Sequence, residues 1–256
     1  MTFSWIRAAS PPLFWTLWFQ VALLAISLLG LMADSRQVMG INAWIKPLKF
    51  CLSVMIYLLT VAWLLKDLKL GWPGAVIGWG IAAAMVVENG LIVLQAYRGV
   101  TSHFNSSNAL DGAIFGVMGV FIALNTLLMA WLLVLAWLPH ADLSPGYLAG
   151  VRWGLLLFFA GSLQAGLMLR IMAHTVGMRD GGPGLPLLNW STKAGDLRIG
   201  HFIALHALQA LPIAGWVLDR AGVAGAPVAV LVLAAGIAAA FVLVTLQALA
   251  GKPLFF

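Results

Sequence analysis

The chain has 256 residues, of which 62% are hydrophobic and 9% charged, and its mean hydropathy is +1.01. A soluble domain carries about 25% charged residues, so lipid must be the solvent for most of this chain. The formal net charge of +6 would raise nucleic acid as a partner in a soluble protein. Here the basic residues stand in short loops beside apolar runs, which suits membrane orientation and anionic headgroups and excludes nucleic acid. The single cysteine, Cys51, excludes an internal disulfide and any multi-cysteine metal or iron–sulfur site.

A bilayer core needs about 20 apolar residues per helix. Runs of that length fall at 12–32, 47–65, 72–97, 112–138, 147–174, 199–218 and 226–250. The expected fold class is therefore an all-α integral membrane protein, a single transmembrane helical domain over 1–256 with about seven helices. The first run exceeds a signal-peptide core and lacks a small-x-small cleavage site, so it reads as a helix. Pro11, Pro47, Pro73 and Pro227 stand near helix starts, where a missing N–H costs little. Trp5, Trp15, Trp18, Trp72, Trp137 and Trp190 lie near the ends of runs, as an interfacial belt would place them. Gly112 and Gly116 make a GxxxG step suited to close helix packing. There is no internal repeat, so an inverted-repeat transporter has no support.

Odd span number divides the loops between two sides. Arg7, Lys66, Lys69, Arg152 and Arg220 fall on the N-terminal side; Arg36, Lys46, Lys49, Arg98, Arg170, Arg179, Lys193, Arg198 and Lys252 fall on the other. The bias predicts a cytoplasmic C-terminus in a bacterial-type inner (plasma) membrane, although Arg7 before the first span argues the other way. The C-terminal side also carries the unusual chemistry: Ser102-His103-Phe104-Asn105, and a long connection from His174 to His201 with Asp180-Gly181-Gly182-Pro183-Gly184. Its Gly and Pro residues punctuate turns, so 175–198 is expected to form an ordered, lid-like loop.

Inside the spans, Glu88, Gln164, His206 and Gln209 are the polar groups singled out. At about 1.5 Å rise per residue, Glu88, Gln164 and His206 sit roughly 10–15 Å from one end of their helices, in one layer. Lipid solvates none of them, so each needs a partner inside the protein; Glu88 with His206 is the expected pair. The bland alternative is a hydrogen bond that only joins helices. His103, His174 and His201 form a shallower set. Arg170 and His174, four apart, are expected on one helix face, whereas His201 and His206, about 140° apart around a helix, do not chelate together. Lys46, Lys49, Arg98, Arg170 and Arg198 ring the same mouth, suiting a lipid headgroup, haem propionates or another anion; ordinary snorkelling is the alternative. His140, on the opposite side, reads as a loop residue.

Its residues separate the chain from two seven-helix classes. The retinal proteins need a lysine in the last span, and 226–250 has none. Membrane zinc hydrolases share the His, Asp and Ser types, but their H-x-x-x-H spacing is absent. The first expectation is a metal- or haem-dependent intramembrane enzyme, redox or hydrolytic, acting on a lipophilic or anionic amphipathic substrate. Glu88, His206 and Asp111 would be its acid–base groups. His103, His174 and His201 would ligate zinc or iron, or histidines would hold haem b, with the basic ring and Gln164 binding the cofactor. The alternatives are a small proton-coupled transporter, or a non-catalytic sensor or assembly factor that binds a lipid or another amphipathic molecule. Oligomerisation is left open.

Overall fold

In the computed structural model, residues 4–254 are described. Their helices are α1 (Ser4–Ala9), α2 (Pro11–Ala33), α3 (Ile45–Leu68), α4 (Trp72–Arg98), α5 (Ala109–Ala136), α6 (Pro145–Ile171), α7 (Leu197–Arg220) and α8 (Ala226–Leu249). Seven of them, α2 to α8, are long and apolar enough to cross a membrane. This is the all-α, seven-span class expected, with boundaries within a few residues of the apolar runs. The helices turn large apolar side chains outward, Met32, Val120, Leu127, Val232 and Leu243 among them, a surface that lipid covers and water would not. Trp15, Trp18, Trp72 and Trp137 are exposed near helix ends. Proline opens α2, α4, α6 and α8 within the first two helical positions.

Contacts divide the chain into two compact units, Met1–Leu128 and Met129–Phe256. In the first, α2, α3 and α4 pack on one another. Ile114 and Met118 of α5 join Ile92 of α4 in a buried cluster. The α2–α3 connection is a small antiparallel hairpin, β1 (Gln37–Val38) with β2 (Ile41–Asn42). Asp34 ties it down: its carboxylate takes Arg36 and the indole N–H of Trp44 at 2.9 Å. The hydrogen bonds from Arg36, then that from Trp44, hold the Asp34 carboxyl well below the usual range. The same pair raises Arg36.

In the second unit α6, α7 and α8 pack on one another. The α6–α7 contact is backbone against backbone. A Cβ at Gly150 would lie 2.2 Å from the Leu211 carbonyl oxygen, and one at Gly215 would lie 2.1 Å from the Gly146 carbonyl oxygen. Only glycine permits this approach. Asp219 of α7 closes the end of the pair by accepting from the N–H groups of Gly146 and Tyr147 at 3.0 and 2.7 Å, which satisfies orphan donors of the first turn of α6. Pro212 lies inside α7, against Gly150 and Gly154.

The connection between α6 and α7 is folded. Strands β3 (Thr175–Val176) and β4 (Gly195–Asp196) pair antiparallel, and Gly184 bridges Ser191. Gly195 packs on the backbone of Ala248 at the end of α8. The tip, 181–184 and 186–188, is exposed. One expectation is corrected here. Helix α6 stops at Ile171, because Met172 turns left-handed at φ 51°, so His174 stands in the connection and shares no helix face with Arg170.

Candidate functional site

The polar residues of the first unit gather where α4 ends. Gly99 caps that helix at φ 72°, and the chain from 99 to 108 turns back across it. Ser102 and Asn105 are buried in this segment, and Asn105 fastens it by donating to the Thr101 carbonyl at 2.9 Å and accepting from Ser107. The fold of this segment brings His103 to Glu88. Its Nε2 lies 3.4 Å from Glu88 Oε1, at the long end of the hydrogen-bond range, where a small side-chain movement would tighten it. On the other side of the ring, Nδ1 lies 3.2 Å from Lys46 Nζ and 3.1 Å from Ser102 Oγ. Phe50, Phe104 and Phe115 surround the imidazole, with ring centroids 6.0 to 6.4 Å from it.

Glu88 is 4% exposed, and its Oε2 is buried with no hydrogen-bond partner among the described residues. A carboxylate oxygen in that state is costly, so it marks a place where a proton or a donor belongs. The donor inventory fixes the direction of the chain. An ammonium only donates, so a neutral His103 beside charged Lys46 must accept at Nδ1 and carry its hydrogen on Nε2, facing Glu88.

One residue further, Asn89 donates to Gln20 Oε1, and Gln20 donates to the Met85 carbonyl at 3.4 Å. Asn89 Oδ1 is buried and without a partner among the described residues. Tyr57 donates to Asn125 at 2.7 Å. Gln20, Asn89, Tyr57 and Asn125 were not singled out from sequence. The usable signal was an amide inside an apolar span, the same cue that marked Glu88 and Gln164.

Asp111 is differently placed from its expected acid–base role. It is 1% exposed and accepts from Gln95, Arg98, Ser107 and Asn108. Both oxygens are committed, so Asp111 is the anchor of a network that holds the start of α5 to the end of α4. The same network takes Arg98 out of the expected basic ring. Lys46 stays at the mouth, on His103; Lys49 follows one turn along α3.

In the second unit His174 Nδ1 lies 2.6 Å from Asp180 Oδ2. That carboxylate also accepts the backbone N–H groups of His174 and Thr175. Burial raises the Asp180 carboxyl, but its bonds from His174 and Thr175 outweigh burial, and it sits below the ordinary range. Arg198 is committed to Asp196 and the Asn189 carbonyl, and Asp196 accepts the Ser191 N–H at 2.7 Å. Arg170 is exposed. His201 Nδ1 lies 2.9 Å from the Gly161 carbonyl, so it is the donor nitrogen. His206 lies 3.2 Å from Gln209 Oε1, its ring 4.1 Å from Phe202. Gln164 donates to the Leu197 carbonyl at 3.1 Å and leaves Oε1 unpartnered among the described residues. Glu88 thus makes its polar contact with His103 in the first unit, and His206 makes its own with Gln209 in the second. Among the described residues no three His, Cys, Asp or Glu side chains converge as a metal-ligand set.

Comparison of the chain with protein-family models, with curated proteins and with solved structures finds no match. The class of protein rests on the fold: a multi-pass helical membrane protein with seven spans.

Proposed function

We propose that the protein is a small proton-coupled carrier in which Glu88 is the membrane-embedded proton acceptor, served by His103 and Lys46. The observation that carries this reading is the chain Lys46 Nζ, His103 Nδ1, His103 Nε2, Glu88 Oε1, ending on a buried carboxylate whose other oxygen is unpartnered among the described residues. Moving the Nε2 proton to Glu88 Oε1 while Nδ1 takes a proton from Lys46 carries one positive charge inward. It leaves neutral lysine, neutral imidazole of the other tautomer and neutral glutamic acid. Lys46 is then recharged from water, and the imidazole resets by returning or turning. Ionisable groups within spans commonly mark such relays.

The test is a pH-difference infrared spectrum of the protein in vesicles. A protonated-carboxyl band that titrates and that Glu88→Gln removes is the expected result, with His103→Gln shifting its pH dependence. A Glu88→Gln protein that is folded, inserted and spectrally identical to the parent would overturn the reading.

One observation favours a second reading, the redox or hydrolytic enzyme. His174 and His201 each spend Nδ1 on an oxygen, as metal-ligating histidines commonly do. The absence of a third converging ligand among the described residues argues against it. Elemental analysis and an absorption spectrum of purified protein decide. Stoichiometric zinc or iron, or a Soret band, lost in His201→Ala, would place a metal or haem centre in the second unit.

A further inference from the structure

The second unit carries a cleft at the end away from its histidines, where α5 stops and α6 and α8 begin. Its volume is about 460 Å³, and Trp137, His140, Pro145, Arg152, Trp153 and Pro227 line it. That volume is in the range of small-ligand sites, about 300–1,000 Å³. The cleft belongs to the second unit and has no part in the proposed relay.

The geometry points to this cleft as a binding site for the headgroup of an anionic phospholipid, with Arg152 as the phosphate-binding group. Arg152 starts two turns into α6, yet its guanidinium reaches back to the end of α5. There Nε donates to the Ala136 carbonyl at 2.9 Å and Nη2 to the Leu138 carbonyl at 3.1 Å. These bonds, and its position over the Trp137 ring at 5.3 Å, fix the guanidinium where the α5 span ends. Among the described residues no acid pairs with Arg152 and none accepts from its Nη1 group; its bonds are those of Nε and Nη2. Asp142, in the turn between the helices, does not line the cleft. A fixed, unneutralised guanidinium with spare donors matches a phosphodiester.

The walls select a lipid over a free anion. Trp137 and Trp153 meet edge to face at 6.0 Å, and Trp137 is half exposed. Such rings sit at the headgroup–acyl boundary. The lining also includes apolar Leu148, Ala149 and Pro227, a surface that suits acyl chains. His140 lies with Nε2 3.0 Å from the Leu135 carbonyl and therefore donates to it, which keeps its ring in the wall.

The test reconstitutes the full chain in phosphatidylcholine vesicles containing a trace of spin-labelled phosphatidylglycerol or, in parallel, spin-labelled phosphatidylcholine. The motionally restricted fraction of each label is compared. The protein should prefer phosphatidylglycerol, and Arg152→Gln should lower that preference about fivefold, the effect of one interfacial basic residue. Arg220→Gln is the control. It removes equal charge at the same end of the unit, where Arg220 lies on Trp216 outside the cleft, and it should leave the preference intact. Ala149→Phe fills the cleft, keeps Arg152 and should abolish the preference; it decides the matter if Arg152→Gln fails to fold. Equal losses in Arg152→Gln and Arg220→Gln, or a preference that survives Ala149→Phe, would overturn the site. Displacement of the label by inorganic phosphate would replace the lipid with a free anion.

Discussion

Gly150→Ala adds one methyl group at one of the tightest helix contacts of the second unit, and the structure sets its effect. The new Cβ would stand 2.2 Å from the Leu211 oxygen, 2.6 Å from its carbonyl carbon and 2.8 Å from Pro212 Cα, against the 3.4 Å at which ordinary contact begins. All three are backbone atoms, so no rotamer change relieves the clash. Helices α6 and α7 must part by about 1 Å. Overpacking a filled site costs roughly 1–3 kcal/mol, and a rigid backbone neighbour puts this case near the top of that range. In water the better helix propensity of alanine would return about 1 kcal/mol. In a bilayer both helices persist when the bundle comes apart, so that term cancels. A net loss of about 2–3 kcal/mol is expected, measured by denaturant titration in detergent micelles. The damage should reach His201, which bonds to the Gly161 carbonyl across the same interface. Gly166→Ala, on the same helix with nothing within 4 Å, is the control and should change stability by less than about 0.5 kcal/mol. Superimposable curves for Gly150→Ala and the parent would refute the packing argument, as would equal losses in the two variants.

Arg98→Gln takes from the Asp111 carboxylate its cation and leaves it Gln95, Ser107 and Asn108 alone, so stability should fall; the double change with Asp111→Asn should recover part of the loss, read by the same titration. The lowered carboxyl of Asp180 gives a pH signature. A depressed carboxyl contributes stability that is present above its ordinary value, 3.8, and is lost as pH falls through the lower folded value. Pepsin cleavage of the 175–198 connection should therefore stay slow through mild acid and accelerate only well below that value. In Asp180→Asn the cut should be fast throughout.

The spans were legible because lipid demands long apolar runs, and proline marks their starts. The partner of Glu88 was not. Counting depth along helices admits only helical residues, and His103 reaches Glu88 from a turn that folds back after Gly99. The asparagines and serines at 105–108 announced a turn without saying where it would point. Arg98 and Asp111 read separately as a rim cation and an acid–base group, since a thirteen-residue separation across a helix end carries no periodic signal. His174 was assigned to a helix because Met172, which ends α6 in a left-handed conformation, is not a residue that normally does so.

The position of Pro212 has a mechanical consequence. Proline removes one rung from the α7 ladder by leaving the Leu208 carbonyl without its helical donor, which makes this the most compliant point of the helix. Gly150 and Gly154 pack against Pro212 and against the Leu211 and Ala207 carbonyls beside it. The place where α7 would flex most readily is thus braced from outside by the backbone of α6. The stretch from Leu197 to Leu208, with His201 and His206, behaves as a stiff strut anchored at its base, and a load applied at the Arg220 end is borne by α6 before it reaches the imidazoles.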